Sequence, residues 1–172
     1  LVSAARTGDK SLATPMRSAS RKITEKARLR IDVEVDEELN KWYQPHVAQE
    51  LGRIRDGIAE ADERVQPLLR AVFSSIIVKA SFRKSDTQNR RETHHRAPGT
   101  TAILFHKKAR EYGRALETLP DGPFPVVNLA DARRFQPDSD RGLIVTSPPY
   151  PGVYDYLPMQ QLRYLWLGLD LR

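Results

Sequence analysis

The stretch Leu143-Ile144-Val145-Thr146-Ser147-Pro148-Pro149-Tyr150 passes from apolar residues through a polar pair into two prolines and an aromatic ring. The apolar run Leu143–Val145 predicts a short buried strand. Neither Pro148 nor Pro149 can donate a backbone N–H, and Pro149 keeps Pro148 out of the helical region. We therefore expect a stiff, extended loop at the carboxyl end of a strand, which is the edge where ligands bind in open α/β sheets.

The atoms of this loop suit recognition of a planar amino group. The Ser147 hydroxyl and the carbonyls of Ser147 and Pro148 can accept hydrogen bonds, and Tyr150 offers a flat face for stacking. A base flipped out of a duplex is recognised by such edge hydrogen bonds and by stacking. Stacking on an aromatic ring contributes about 1–3 kcal/mol per base. The loop therefore predicts a site for a nucleobase.

The run Thr146–Tyr150 resembles motif IV of the amino-group DNA methyltransferases, which make N4-methylcytosine or N6-methyladenine. Downstream, Pro151–Leu157 and Leu162–Gly168 are similar to the segment that follows Ser-Pro-Pro-Tyr in a bacterial group of these enzymes. Upstream, Ile77–Thr87 and Asp131–Arg134 resemble the same group. The resemblance extends from about residue 68 to the last residue, Arg172.

This resemblance implies S-adenosylmethionine-dependent methylation of an exocyclic amino group of a DNA base, by direct in-line transfer to a flipped base, as in restriction–modification. The implied catalytic residues are Ser147, Pro148, Pro149 and Tyr150, and the implied cofactor-binding residues are Asp131 and Ala132. The family usually has Gly before that Asp, where this chain has Ala130. Ser before Pro-Pro-Tyr is more typical of cytosine N4 than of adenine N6, so cytosine is favoured.

The family's Gly-rich cofactor loop and its ribose-binding acid have no counterpart in these residues. The chain begins with Leu1 and ends with Arg172 directly after an apolar helical pattern. We therefore expect an internal piece of a longer protein. The complete protein is expected to bind S-adenosylmethionine, whereas this piece alone is expected to bind it weakly or not at all.

The charge of the chain favours an anionic partner. The 172 residues carry 28 Lys and Arg against 22 Asp and Glu, for a net charge of +6. From Lys79 to Arg114 there are ten basic residues against three acids. We expect duplex DNA as the partner, contacted first through its phosphates. The candidate contacts are Lys79, Arg83, Lys84, Arg90, Arg91 and Arg96.

Several classes of protein are excluded by what the sequence lacks. There is no Cys, which excludes disulfides, thiolate metal sites and the Cys nucleophile of cytosine C5 methylation. No apolar run approaches the ~20 residues that span a membrane, and no signal-peptide pattern is visible, so we expect a cytoplasmic protein without a membrane partner. His94-His95 has no accompanying carboxylate cluster, so no metal is expected. The oligomeric state cannot be read from these residues.

The apolar patterns predict an α/β protein. The resemblance implies that it is part of a Rossmann-like S-adenosylmethionine-dependent methyltransferase sheet with a helical, basic N-terminal or inserted region. Residues 1–120 are expected to be mainly helical, with the DNA-contact segment at 79–114, and residues 121–172 to belong to the catalytic domain. Helices are predicted at 46–61, 62–79, 102–119 and 157–169, strands at Val126–Leu129 and Leu143–Val145, a strand or extended arm at 29–35, and loops at 82–98. Residues 1–20 are expected to be a loosely ordered lead-in or the tail of a preceding helix.

Some alternatives stay open at this point. Trp42 and Tyr43 could form a substrate platform or could pack against a helix, and Gly99–Thr101 could hold a phosphate or could only cap a helix. Two other functions also fit the sequence. One is an RNA amino-group methyltransferase, and the other is a non-catalytic nucleic-acid-binding module with a relic Ser-Pro-Pro-Tyr loop.

Overall fold

The structure, a computed structural model, describes residues 9–85, 88–92, 95–121, 126–128, 130–131, 133–136, 143, 145–147 and 156–169. After a short 3-10 helix at Lys10–Leu12, the helices in these residues are α1 (Ala13–Ala27), α2 (Glu37–Asn40), α3 (Pro45–Ala59), α4 (Gln66–Ala80), α5 (Thr100–Glu117) and α6 (Tyr156–Leu167). The strands are β1 (Arg83–Ser85) and β2 (Gln88–Arg91).

Four helices enclose the hydrophobic core. Helix α1 packs against α3 and α5, and α4 packs against the same two helices, so the four helices form a closed ring. Their fully buried side chains include Met16, Leu51, Ile54, Leu69 and Phe105. The predicted helices at 46–61, 62–79 and 102–119 are confirmed as α3, α4 and α5, because apolar residues at three- and four-residue spacing face this core.

The expectation for residues 1–20 is wrong from Ala13 onward, where α1 begins. Met16 and Ile23 of this helix are buried, but its buried face also carries Ser20 and Thr24, which interrupt the apolar period. Both hydroxyls are satisfied locally or across the core: Ser20 donates to the Arg17 carbonyl at 2.8 Å and Thr24 to the Ala102 carbonyl at 3.1 Å. Because both hydroxyls are hydrogen-bonded, these polar residues can be buried on the face of α1 that packs against the core.

Residues 29–35 form an extended arm rather than a strand. The side chain of Gln49, on α3, donates to the Val33 carbonyl at 2.9 Å and accepts from the Val33 N–H at 2.8 Å, which is the pairing a neighbouring strand would otherwise supply. Arg53 donates to the Ile31 carbonyl at 2.7 Å. The Val33 side chain lies against Gly52, where any larger residue would collide with it. Helix α3 therefore holds the arm by side chains alone.

The predicted loop at 82–98 is wrong in its first part, because β1 and β2 pair there as an antiparallel hairpin. Its residues are polar, so the strand carries no apolar alternation that a sequence pattern could reveal. Backbone hydrogen bonds position it instead: Phe82 N–H donates to the Trp42 carbonyl at 2.8 Å, and Glu92 N–H donates to the Phe82 carbonyl at 2.7 Å. The hairpin is thereby attached to the segment between α2 and α3.

Helix α6 packs on α4 and confirms the predicted helix at 157–169. Its Trp166 is fully buried and meets Tyr43 and Phe73 edge to face, with ring centroids 5.8 and 6.0 Å apart. Leu162 joins the same core. The helix that the sequence placed in a separate catalytic region thus shares its hydrophobic core with the helices of residues 9–121.

The predicted strands at Val126–Leu129 and Leu143–Val145 are absent from their described residues, which lie outside any helix or strand. Val126 is 83% exposed and Val145 is 85% exposed. A strand is stable only beside a partner, and in the described part of the chain the hairpin β1–β2 is the only sheet. The Rossmann-like sheet therefore remains a prediction.

Candidate nucleic-acid and methyl-transfer site

Ser147 is the implied catalytic residue that the structure describes. It is exposed and follows the exposed residues Val145 and Thr146, outside any helix or strand. The other implied catalytic residues, Pro148, Pro149 and Tyr150, lie outside the described residues, as does the implied cofactor residue Ala132. Ser147 therefore lies at the surface of the part of the chain that the structure describes.

Asp131 lies on the surface at the start of a turn, where its carbonyl accepts from the N–H groups of Arg134 and Phe135, each at 2.9 Å. Its carboxylate accepts a two-pronged hydrogen bond from Arg133, with Nε–Oδ1 at 3.0 Å and Nη2–Oδ2 at 2.7 Å. The hydrogen bonds from the Arg133 side chain and backbone lower the pKa of Asp131. Asp131 is therefore an ionised acceptor at neutral pH.

The candidate DNA contacts divide into accessible and engaged side chains. Lys79 and Arg90 are exposed, and so is Lys84, which pairs with Glu92 across the hairpin at 3.1 Å. Exposed ion pairs of this kind contribute about 0–1 kcal/mol, so Lys84 can exchange Glu92 for a phosphate at low cost. These three residues remain available for an anionic partner.

Arg83 does not fit the predicted role of a phosphate contact. Its side chain is buried, with 3% of the residue exposed. The guanidinium donates to the carbonyls of Pro158 at 2.7 Å and Met159 at 3.0 Å, in the first turn of α6. Its Cζ atom also lies 5.6 Å from the centre of the Trp42 ring. Arg83 therefore joins the hairpin to α6, the helix that follows the Ser-Pro-Pro-Tyr run in the sequence.

Trp42 and Tyr43 pack rather than form an open platform. The guanidinium of Arg91 lies 4.6 Å from the centre of the Trp42 ring and donates to the Lys41 carbonyl at 2.9 Å. Tyr43 is buried, and its hydroxyl donates to the Ile77 carbonyl at 3.1 Å. Burial raises the pKa of Tyr43. Arg91 itself is exposed, so the stacked guanidinium can still meet an anion from its outer side.

Arg96 is half-buried and stabilises the segment that leads into α5. Its backbone N–H donates to Gln44 Oε1 at 2.9 Å, and its guanidinium donates to the Lys79 carbonyl. His46 Nε2 lies 2.8 Å from the Arg96 carbonyl. Because a carbonyl only accepts, Nε2 of this imidazole carries the proton. Arg96 is thus a structural residue in this structure, rather than an uncommitted phosphate contact.

The N-terminus of α5 is already occupied by an acid of the chain itself. Gly99, with φ at 86°, leads into the helix, and the buried carboxylate of Glu50 accepts from the N–H groups of Gly99, Thr101 and Ala102. An anion there satisfies N–H groups that lack partners within the helix and interacts favourably with the helix dipole. The segment Gly99–Thr101 therefore begins a helix, and Glu50 takes the position that a phosphate would need.

Sequence reasoning missed Glu50, although a signal was present. Glu50 follows Val47 by three residues and precedes Ile54 by four, so it lies on the apolar face of α3. The carboxylate of an acid on such a face is buried only when hydrogen-bond donors satisfy it. The exposed arginines Arg28 and Arg30 were also missed, because they precede the segment in which basic residues concentrate.

Among the described residues, no group of His, Asp and Glu side chains could hold a metal ion. His95 is exposed with its ring near the Gln44 amide, and His94 lies outside the described residues. No helix in the described part of the chain is long and apolar enough to span a bilayer. Comparisons with family models, with curated proteins and with solved structures each found no match to this chain.

Proposed function

We propose that this chain is part of an S-adenosylmethionine-dependent DNA methyltransferase that acts on an exocyclic amino group, with cytosine N4 favoured over adenine N6. The observation that carries the proposal is the run Thr146–Tyr150 together with its flanking segments. The accessibility of Ser147 and Asp131 supports it, because a flipped base and a cofactor must both reach this part of the chain.

The anchoring of α6 also supports the proposal. A loop that orients a base must be supported by rigid elements, since misplacement by about 1 Å can cost a hundredfold in rate. Trp166 buries this helix against α4, and Arg83 binds its first turn. The helix on the C-terminal side of the motif is thus attached both to the core and to the basic hairpin.

The proposed chemistry needs no covalent enzyme intermediate. S-Adenosylmethionine would supply an electrophilic methyl group when bound. The Ser147 hydroxyl and the Pro148 carbonyl would accept the hydrogens of the target amino group, which favours a nucleophilic nitrogen lone pair. The same acceptors would stabilise the positive charge that develops on that nitrogen, and they would do so most strongly at the transition state. Tyr150 would hold the base by stacking.

Asp131 fits the cofactor's adenine amino group, because an ionised carboxylate is a pure acceptor. The guanidinium of Arg133 donates to that carboxylate in this structure. The Arg133 side chain is 86% exposed, so the cofactor can displace it without loss of packing. The DNA contacts would come from Lys79, Lys84, Arg90 and Arg91, whose positive groups lie at the surface. A cytoplasmic location is part of this proposal.

The test is incorporation of labelled methyl groups from S-adenosylmethionine into duplex DNA by the complete gene product that contains this sequence, followed by nucleoside analysis. N4-Methylcytosine or N6-methyladenine as the product would establish the reaction and identify the base. Ser147→Ala and Tyr150→Ala should each abolish incorporation, whereas Ser11→Ala, at an exposed position of the 3-10 helix, should leave it unchanged. Absence of product on DNA, with product on structured RNA, would instead identify an RNA methyltransferase.

A non-catalytic nucleic-acid-binding module is the second candidate. It is favoured by the exposed cations on and beside the hairpin, which need no cofactor to bind a phosphate backbone. This candidate predicts salt-sensitive binding of nucleic acid without methyl transfer to either DNA or RNA. The methylation assay and a binding assay on the same preparation therefore separate the two functions.

A further inference from the structure

A surface cavity of about 510 Å³ lies where the end of α1, the extended arm and the N-termini of α3 and α5 meet. Its wall contains three arginines, Arg28, Arg30 and Arg53, and two acids, Asp32 and Glu50. The cavity is distinct from the hairpin and from the Ser147 loop. Whether the cavity can bind an anion depends on which of these charged groups already have hydrogen-bond or ion-pair partners.

Two of the arginines are available. Within the described residues, the guanidinium groups of Arg28 and Arg30 make no hydrogen bond or ion pair. Arg28 lies beside Gly99: a Cβ at that position would be in van der Waals contact with Arg28 Nε, at 3.4 Å. Arg53, by contrast, is fixed by the carbonyls of Ala27 at 2.8 Å and Ile31 at 2.7 Å.

The acids do not cancel these cations. The Glu50 carboxylate accepts three backbone N–H groups at the start of α5, so its charge is compensated by the positive end of that helix. Asp32 forms no ion pair with a described residue, and it is exposed on the arm. An incoming anion would therefore meet two unpaired guanidinium groups and a third that is fixed beside them, opposed by one exposed carboxylate.

We propose that this cavity binds a phosphate group, either a phosphomonoester or a phosphodiester, with Arg28 and Arg30 as the principal ligands. The planar guanidinium presents paired N–H donors that match two oxygens of a phosphate. Arg53 adds positive charge without needing to move. The proposal goes beyond methyl transfer, since phosphate binding here requires neither the cofactor nor the Ser147 loop and can be measured without them.

The test is a titration of the full chain with inorganic phosphate at constant ionic strength, followed by NMR of the arginine side-chain Nε–H signals. We expect the signals of Arg28 and Arg30 to shift with saturation. The double variant Arg28→Gln/Arg30→Gln should bind phosphate about tenfold more weakly, because hydrogen bonds to a charged group are lost. Its thermal unfolding should be unchanged, since neither side chain has a described partner.

The matched control is Lys22→Gln/Lys107→Gln, which removes the same charge from exposed helix faces outside the cavity. It should change phosphate affinity less than about twofold, because exposed distant charges are screened by salt. Asp32→Asn should tighten phosphate binding, and Glu34→Gln, on the same arm but outside the cavity wall, should not. Equal weakening in both double variants would show nonspecific charge attraction and overturn the proposal.

Two further probes identify the source of the phosphate. A nucleoside 5′-monophosphate carries a terminal phosphate, and a short DNA duplex carries only bridging phosphates along its length. Loss of affinity in Arg28→Gln/Arg30→Gln for the monophosphate alone would assign a phosphomonoester site. Loss of affinity for the duplex in the same variant would assign a site for the phosphodiester backbone of DNA. If the signals of Arg28 and Arg30 respond to none of the three probes, the proposal is wrong.

Discussion

The Glu50 carboxylate on α3 accepts a hydrogen bond from the backbone N–H of Thr101 on α5, with Oε2 at 3.1 Å from the nitrogen. The two residues are 51 positions apart in the chain, and both are buried. The same carboxylate also meets the N–H groups of Gly99 and Ala102. One acid therefore fixes where α5 begins relative to α3.

Glu50→Ala should lower the free energy of unfolding by about 2–3 kcal/mol, because it leaves buried N–H donors without their charged acceptor. Urea denaturation followed by far-UV circular dichroism measures this change. Glu34→Ala, an acid on the exposed arm, is the control and should stay within about 0.5 kcal/mol of the unsubstituted protein. A Glu50→Ala effect as small as that of Glu34→Ala would contradict the capping role.

Arg83→Ala should loosen the attachment of α6. The variant removes the donors to the Pro158 and Met159 carbonyls and the contact with Trp42. Backbone amides of α6 should then exchange with solvent at least about tenfold faster, which corresponds to 1.4 kcal/mol of local stability. Native-state hydrogen exchange by mass spectrometry resolves this helix from the rest of the chain.

The control for this variant is Lys84→Ala, one residue along the same strand. Its ion pair with Glu92 is half-exposed and contributes about 0–1 kcal/mol. Exchange in α6 should therefore be unaffected. Faster exchange throughout the molecule after Arg83→Ala, rather than in α6 and the hairpin, would show general unfolding in place of the specific link.

His106 gives the fold a defined response to acid. Its Nδ1 lies 2.9 Å from Ser20 Oγ, and because that hydroxyl donates to the Arg17 carbonyl, Nδ1 is the donor to Ser20. Partial burial lowers the pKa of His106 below 6.5, the charges of Arg110 and Arg21 add to this effect, and Glu25 opposes it. The folded state therefore prefers the neutral ring.

The sign of the pH dependence follows from this preference. The stability contribution is complete above pH 6.5, the unperturbed pKa, and it is lost as the pH falls through the lower pKa of the folded state. Unfolding free energies measured between about pH 7.5 and pH 5 should decline more steeply for the unsubstituted chain than for His106→Gln. Parallel curves for the two proteins would exclude His106 as the titrating group.

The helices could be predicted from the sequence because their signals are local. In α3, Pro45 marks the start and Val47, Leu51, Ile54 and Ile58 recur on one face. Proline at position 67 marks the first turn of α4 in the same way. These features act within a few residues, so the sequence alone reveals the element without knowledge of its tertiary contacts.

The hairpin could not be predicted, and the choice between strand and extended arm for residues 29–35 stayed open, because partners outside these segments hold them. Gln49 pairs with the backbone of Val33 in place of a strand, and the Trp42 carbonyl receives the N–H of Phe82. The burial of Arg83 is equally invisible, since its acceptors are backbone carbonyls 75 and 76 residues away. A basic residue in a basic segment therefore suggested phosphate binding where the structure shows an internal link.

The described residues of the predicted strands Val126–Leu129 and Leu143–Val145 lie outside any helix or strand. Their β-branched residues predicted buried strands, but Val126 and Val145 are largely exposed. Burial requires a surface to pack against, and an apolar run supplies only one side of such an interface. Intrinsic preference for strand alone therefore does not place these described residues in a strand.

Some basic residues of the segment 79–114 are exposed and others are buried, and this difference predicts how their variants alter DNA binding. Arg90 is exposed and Arg83 is buried, so of these two residues it is Arg90 that can bind a phosphate and thereby release a counterion. Arg90→Gln should weaken duplex binding and reduce the slope of log K against log salt by about one, and fluorescence anisotropy at several salt concentrations measures both quantities. Arg64→Gln, which removes one exposed charge outside the hairpin, from the segment between α3 and α4, is the control and should leave the slope unchanged. Ser147→Ala should also leave it unchanged, because a hydroxyl displaces no counterion. If Arg90→Gln and Arg64→Gln shift the slope equally, the basic hairpin is not the DNA contact and the proposed interface must lie elsewhere.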